Sequence, residues 1–239
     1  VTFVTKTYGM IVGGAGFIMQ PFLIAIGVPP HMAVAHDIAG TNATTISGLP
    51  VFLRKGYVRK HIALYALPGV TIGPLIGVTV LSRLSAGAIE TVIACVSIIG
   101  ALYLMLRRSS STLGVEVHAL PRHWRIITLI YGLAFGIYCG FSGAGGGIAS
   151  MYILVAVLGM TMTQAVATKR MIHAVPFITA TIGYLWHGWL VPGLFAAIFL
   201  GCLAAGYAGA HLTLRIDDKW LKYVFLSAAI VIAGLILVR

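Results

Sequence analysis

The chain has 239 residues, of which 59% are hydrophobic and 9% charged, and a formal net charge of +11. A soluble domain carries about a quarter of its residues as charges. This composition, with a mean hydropathy of +1.01, therefore excludes a soluble globular protein and reads as an integral membrane protein. The positive balance does not indicate nucleic acid, because the basic residues gather where helices leave the membrane, at Arg54, Lys55, Arg59, Lys60, Arg107, Arg108, Arg122 and Arg125, as cytoplasmic loops do.

A membrane-spanning helix needs about 20 apolar residues. The apolar runs are long and unbroken, unlike the alternating segments of a membrane β-barrel, so the expectation is an all-α polytopic membrane protein. In chain order, the first segment covers about 1–27 and is interrupted by Gly13-Gly14-Ala15-Gly16. The next three cover about 30–53, 61–81 and 86–106. A polar linker at 107–124 follows, marked by Ser109-Ser110-Ser111 and the Pro121 turn. The plan then returns at about 125–159 (broken at 140–147), 162–186, 189–212 and 218–238. No cleavable signal peptide is evident, and position 1 is expected to fall inside the first helix, with several of its residues preceding Val1.

The return is close to literal. Gly56-Tyr57-Val58 becomes Gly188-Trp189-Leu190, 132 positions on, and Ala33-Val34-Ala35 becomes Ala165-Val166-Ala167. Gly69 and Gly77 fall on Gly201 and Gly209. Such duplication in a hydrophobic chain predicts two homologous repeats of about four segments each, at 1–106 and 125–239, with a transport site between them. The first segment of each repeat is broken at a Gly-rich stretch. New helices are expected to start near Phe17 and Ile148, with N-terminal amides after Gly16 and Gly147 that suit an anion. Unwound backbone survives at membrane depth only where it is buried in protein or lines a polar cavity. With four crossings per half the repeats are parallel. If each broken segment crosses twice they are inverted, and Arg215 and Lys219 join the basic side.

The copies differ where chemistry would be. His36-Asp37 in the first becomes Thr168-Lys169 in the second, followed by Arg170. Ionisable groups inside a membrane are costly and face a partner or a water-filled cavity. Two readings stand side by side. Asp37 forms a structural ion pair with Lys169 or Arg170, or a base stays free for an anionic ligand. Thr41, Asn42, Thr44, Thr45 and Ser47 share the helix of Asp37. His173, one helical turn after Lys169, could carry protons.

Other chemistries are poorly served. The eight histidines are scattered and the five acids too few for a metal site, and no nucleotide-binding loop is present, so no cofactor is expected. Cys95, Cys139 and Cys202 sit in apolar runs and read as packing. Gly140-Phe141-Ser142-Gly143 matches the GxSG of intramembrane serine proteases, which need a histidine base beside the serine. His173, His187 and His211 are the downstream candidates.

The order and duplication of these motifs resemble the TauE/SafE sulfite exporter family (the 4-toluene sulfonate uptake permease group). The residues that carry the likeness are the broken glycine helix, then Pro21, Gly27, Pro29, Ala33 and Ala35, then the Gly56-Tyr57-Val58 turn, all repeated. Gly143-Ala144-Gly145-Gly146-Gly147 is the fuller copy of the family's glycine motif, while His36-Asp37 departs from its pattern. The resemblance implies transport of small sulfur-containing anions such as sulfite, thiosulfate or a sulfonate, in a prokaryotic inner membrane. The protein is therefore expected to be a multi-pass secondary transporter and not an enzyme, acting as an exporter. Lys169, Arg170, Thr168, Gly16, Phe17, Gly147, Ile148, Asn42 and Thr41 bind substrate, and Asp37, His36 and His173 adjust charge or exchange protons. Its partners are the anion, membrane lipid and a coupling proton or sodium ion, with homo-oligomerisation left open. The alternatives are a channel-like anion facilitator and the intramembrane protease.

Overall fold

The computed structural model describes residues 1–11, 15–89, 91, 120–144 and 146–216, and regular structure among them is helical throughout. In chain order the helices are α1 (Thr2–Ile11), α2 (Gly16–Ala25), α3 (Pro30–Arg54), α4 (Lys60–Ser82), α5 (Trp124–Phe141), α6 (Gly146–Tyr152), α7 (Met162–Trp186) and α8 (Pro192–Arg215). α6 runs into a π-helical turn at Ile153–Val157. α4, α5 and α8 are long and apolar enough to cross a membrane. α3 and α7 match them in length but carry the polar residues singled out above. The expected fourth segments at 86–106 and 218–238 lie outside the described residues except for 86–89 and 91, as does the linker up to residue 119.

Local chemistry sets the boundaries. α3 and α8 each open with proline at the first turn, where the missing N–H costs nothing. α7 opens on Thr161, whose hydroxyl accepts from the Gln164 amide at 3.2 Å. α3 and α7 are each followed, two residues after their last, by a left-handed glycine, Gly56 at φ +73° and Gly188 at φ +68°.

Two contacts set the packing. Gly69, Gly73 and Gly77 lie one turn apart on α4, and Gly132, Gly136 and Gly140 do so on α5. A methyl on Gly73 would come within 2.8 Å of the Gly136 carbonyl carbon, and one on Gly77 within 2.9 Å of that of Gly140. The two helices therefore run parallel with their backbones touching, as small-residue seams allow where lipid supplies no hydrophobic drive. α3 and α7 cross antiparallel. The Asn42 amide of α3 donates to the Phe177 carbonyl at 3.2 Å and to the Thr181 hydroxyl at 2.8 Å. At one end of this crossing the Val191 amide donates to His36 Nε2 at 3.0 Å. At the other the Arg59 amide donates to the Thr168 hydroxyl at 2.9 Å.

α1 and α2 do not form one continued helix. α1 runs parallel to α3, from Lys6 beside Asp37 to Met10 beside Gly48. α2 returns antiparallel to α3, starting with Gly16 against Asp37. α5 ends at Phe141, and the described part of α6 begins at Gly146. α2 starts at Gly16, beside the expected Phe17.

Candidate functional site

The ends of α1 and α2, the α5–α6 junction and the middles of α3 and α7 line a cavity of about 50 Å³. A single water needs roughly 10–15 Å³ on that measure, so the space suits a few waters or one small ion. Lys6, Gly9, Gly16, Asp37, Thr41 and Thr44 line one side, and Gly143, Gly147, Lys169, Arg170, His173 and Phe177 the other.

Asp37 is fully engaged, but not as expected. Of the two readings of Asp37, the ion pair with Lys169 or Arg170 does not form. Asp37 pairs with Lys6 of α1, at 2.6 Å from Nζ to Oδ1 and 3% exposure of both side chains. Lys6 Nζ also donates to the Asp37 carbonyl at 3.0 Å and to the Thr41 hydroxyl at 2.7 Å. Its three N–H donors thus have three acceptors. The second carboxylate oxygen accepts from Gln20 Nε2 at 3.0 Å, and the same amide reaches the Ser142 carbonyl at 2.6 Å. The carboxylate also lies against Gly16, where any side chain would strike Oδ2. The α2 N-terminus, expected to hold a substrate anion, therefore faces a resident one.

The opposite wall is different. Lys169 is 1% exposed, and its ammonium nitrogen has no hydrogen-bond partner among the described residues. Arg170 next to it donates to the Gly9 carbonyl at 2.9 Å and to the Thr44 hydroxyl at 3.4 Å, leaving Nε without a partner. Among the described residues the cavity side chains thus carry three formal cations, Lys6, Lys169 and Arg170, against one carboxylate. A buried amine without a partner costs several kcal/mol to hold as an ammonium unless an anion accompanies it, and otherwise gives up its proton. His173 lies one turn from Lys169, stacked on Phe135 at 3.9 Å. Its Nε2 is 2.9 Å from the Ser150 hydroxyl and 3.5 Å from Tyr131. The Ser150 hydroxyl also donates to the Gly146 carbonyl at 2.7 Å, and the direction of the His173–Ser150 bond follows from the tautomer of His173.

Of the residues singled out from sequence, Gly16, Asp37, Thr41, Gly147, Lys169, Arg170 and His173 line this cavity. Three do not. His36 accepts the Val191 amide, Thr168 accepts the Arg59 amide, and Asn42 binds α7 backbone and Thr181. These three tie helices together. Phe17 and Ile148 have backbone in α2 and α6. Lys6 and Gln20 escaped the sequence reading, although a lone lysine inside an apolar run is itself a signal of polar surroundings. The Ser142 hydroxyl donates to Gln20 Oε1 at 3.3 Å, and the histidine of this region pairs with Ser150 instead.

Long apolar helices around a small, charged cavity define a polytopic membrane protein with a solute-sized polar site, the makings of a membrane transporter. The chain belongs to the sulfite exporter TauE/SafE family, whose profile matches residues 1–236. It is similar to YdhB of Bacillus subtilis, described as a probable membrane transporter protein, at 25% identity over 94% of this chain and 91% of that one. YjnA of the same organism is 24% identical over 99% and 96%, and YfcA of Escherichia coli 22% over 95% and 83%; both carry the same description. No solved structure was found to match.

Proposed function

We propose that this chain is a secondary transporter exporting a small sulfur-containing oxyanion, such as sulfite, thiosulfate or a sulfonate, across the cytoplasmic membrane of a prokaryote. The observation that carries this reading is the buried Lys169 amino group, without a hydrogen-bond partner among the described residues, beside Arg170 in a small cavity where the carboxylate those residues supply is already taken by Lys6. The family match supports the sulfur chemistry. Export fits the charge, since moving one negative charge out of a negative-inside cell gains about 2.3 kcal/mol per 100 mV.

The site belongs, in this reading, between two inverted repeats. α3 and α7 start and end 132 residues apart, Pro30 with Met162 and Arg54 with Trp186. The left-handed glycines pair at the same interval, Gly27 with Gly159 and Gly56 with Gly188. The hydrogen bonds at the two ends of the α3–α7 crossing are also equivalents. His36 corresponds to Thr168 and Val191 to Arg59. Antiparallel equivalents imply a two-fold axis in the membrane plane, the arrangement of alternating-access carriers.

Purified protein in liposomes tests the proposal, with sulfite, thiosulfate and sulfoacetate each assayed for saturable flux and for exchange of labelled against unlabelled anion. Saturable exchange that Lys169→Ala abolishes is the expected result. A folded protein that moves none of the three sinks the substrate class, and flux that never saturates points to a channel.

A further inference from the structure

Building on the anion-transport reading, we infer that Asp37 takes up a proton that travels with the anion, and that Lys6 is the cation this proton frees for the substrate. The geometry supplies each part. Asp37 is the carboxylate of the cavity, and every donor of Lys6 is spent on Asp37 and Thr41. When a proton adds to a carboxylate oxygen, the Lys6 ion pair becomes a weaker contact to a neutral acid. Nζ keeps the Asp37 carbonyl and Thr41, and the N–H that Oδ1 held can turn to an anion in the cavity. The formal charge of the lining rises by one at the same moment.

Anion and proton binding must therefore reinforce each other. An anion held by Lys169 and Arg170 shares a small cavity with the Asp37 carboxylate, and like charges at such range repel strongly when desolvated. Protonating Asp37 removes that repulsion and adds a donor. By linkage, the proton raises anion affinity by the same factor as the anion raises proton affinity, typically about 5- to 150-fold. For a dianion carried with one proton, one net negative charge still moves, so voltage continues to favour export. The other groups around Asp37 are Lys6 of α1, Gln20 of α2, and Lys169, Arg170 and His173 of α7 across the cavity. Tyr184 of α7 and Cys202 of α8 lie within its electrostatic reach.

Thiosulfate is the probe, because it stays fully ionised around neutrality and any pH dependence belongs to the protein. In liposomes with a lumenal pH dye, a thiosulfate gradient should drive protons in the same direction. Wild-type affinity should rise on acidification within the range given above. Asp37→Asn should lose proton movement, and the thiosulfate it still binds should be bound independently of pH. His173→Gln should keep the pH dependence whatever its rate. Saturable wild-type thiosulfate movement without protons overturns the inference, even if Asp37→Asn fails to fold. So does a pH dependence that vanishes with His173 and persists without Asp37. Absence of saturable movement of every sulfur anion removes the underlying transport reading instead, and the inference with it.

Discussion

Gln20 shows how much one uncharged side chain holds at this site. Its amide joins the Asp37 carboxylate to the Ser142 carbonyl, so it ties α2 to α3 and to the α5–α6 junction. Gln20→Leu keeps the bulk but strands two buried acceptors, each worth about 1–3 kcal/mol. The expected outcome is a drop in unfolding stability of that order in detergent, measured by thermal or denaturant melts, with Gln20→Glu worse because it sets a second carboxylate against Asp37. Arg170 makes a different point. Its guanidinium reaches the Gly9 carbonyl and Thr44 while lining the cavity, a fork that lysine lacks. Arg170→Lys keeps the charge and loses a charge-assisted bond of about 1.5–3 kcal/mol. It should raise the KM for the transported anion about tenfold or more while leaving the protein folded, as concentration-dependent flux would read out.

Among the helices, the closest fit is α4 on α5. Gly73→Val would drive a branched side chain into the Gly136 and Ile137 backbone, already within 2.8 Å of a bare methyl. Overpacking of this kind costs about 1–3 kcal/mol or more, so the variant should melt earlier or fail to accumulate. Gly193 on α8 has nothing within 4 Å, and Gly193→Ala should be neutral or stabilising by up to about 1 kcal/mol. The two changes measured side by side separate seam packing from helix propensity. At the ends of the α3–α7 crossing, Thr168→Val removes the acceptor for the Arg59 amide and Thr168→Ser preserves it. A stability loss of about 1 kcal/mol is expected for valine and little for serine.

For the molecule as a whole the sharpest prediction concerns sidedness. The α3–α4 loop meets the start of α7, and the α7–α8 loop meets the start of α3, so the two loops lie at opposite ends of the crossing pair. The N-termini of α4 and α5 share one end with Arg59, Lys60 and Arg125, as the ring of Trp124 against Tyr65 requires. By the positive-inside tendency that end is cytoplasmic. Single cysteines at the exposed positions Lys55 and His187, in a background with Cys95, Cys139 and Cys202 replaced by alanine, should react with an impermeant thiol reagent from opposite sides. The Lys55 site should face the cytoplasm. Labelling of both from one side would refute the inverted arrangement.

Composition alone was enough to establish a helical membrane protein, because too few charges remain to face water. The α3 and α7 boundaries were legible to within a residue from prolines, glycines and polarity. Lys169, Arg170, Asp37 and His173 stood out because an ionisable group in an apolar run must be accommodated somewhere. What sequence could not settle was who meets whom. The 132-residue offset sets Asp37 and Lys169 at matching positions and so suggested that they pair. The fold brings Lys6 of α1 onto Asp37 and leaves Lys169 without a hydrogen-bond partner among the described residues. Likewise His36, Thr168 and Asn42 read as site residues by their polarity, yet their bonds hold the crossing helices together. A side chain's type limits the partners it needs. Only the packing of distant segments decides which one it gets, because desolvation and distance are properties of the folded neighbourhood and not of the residue.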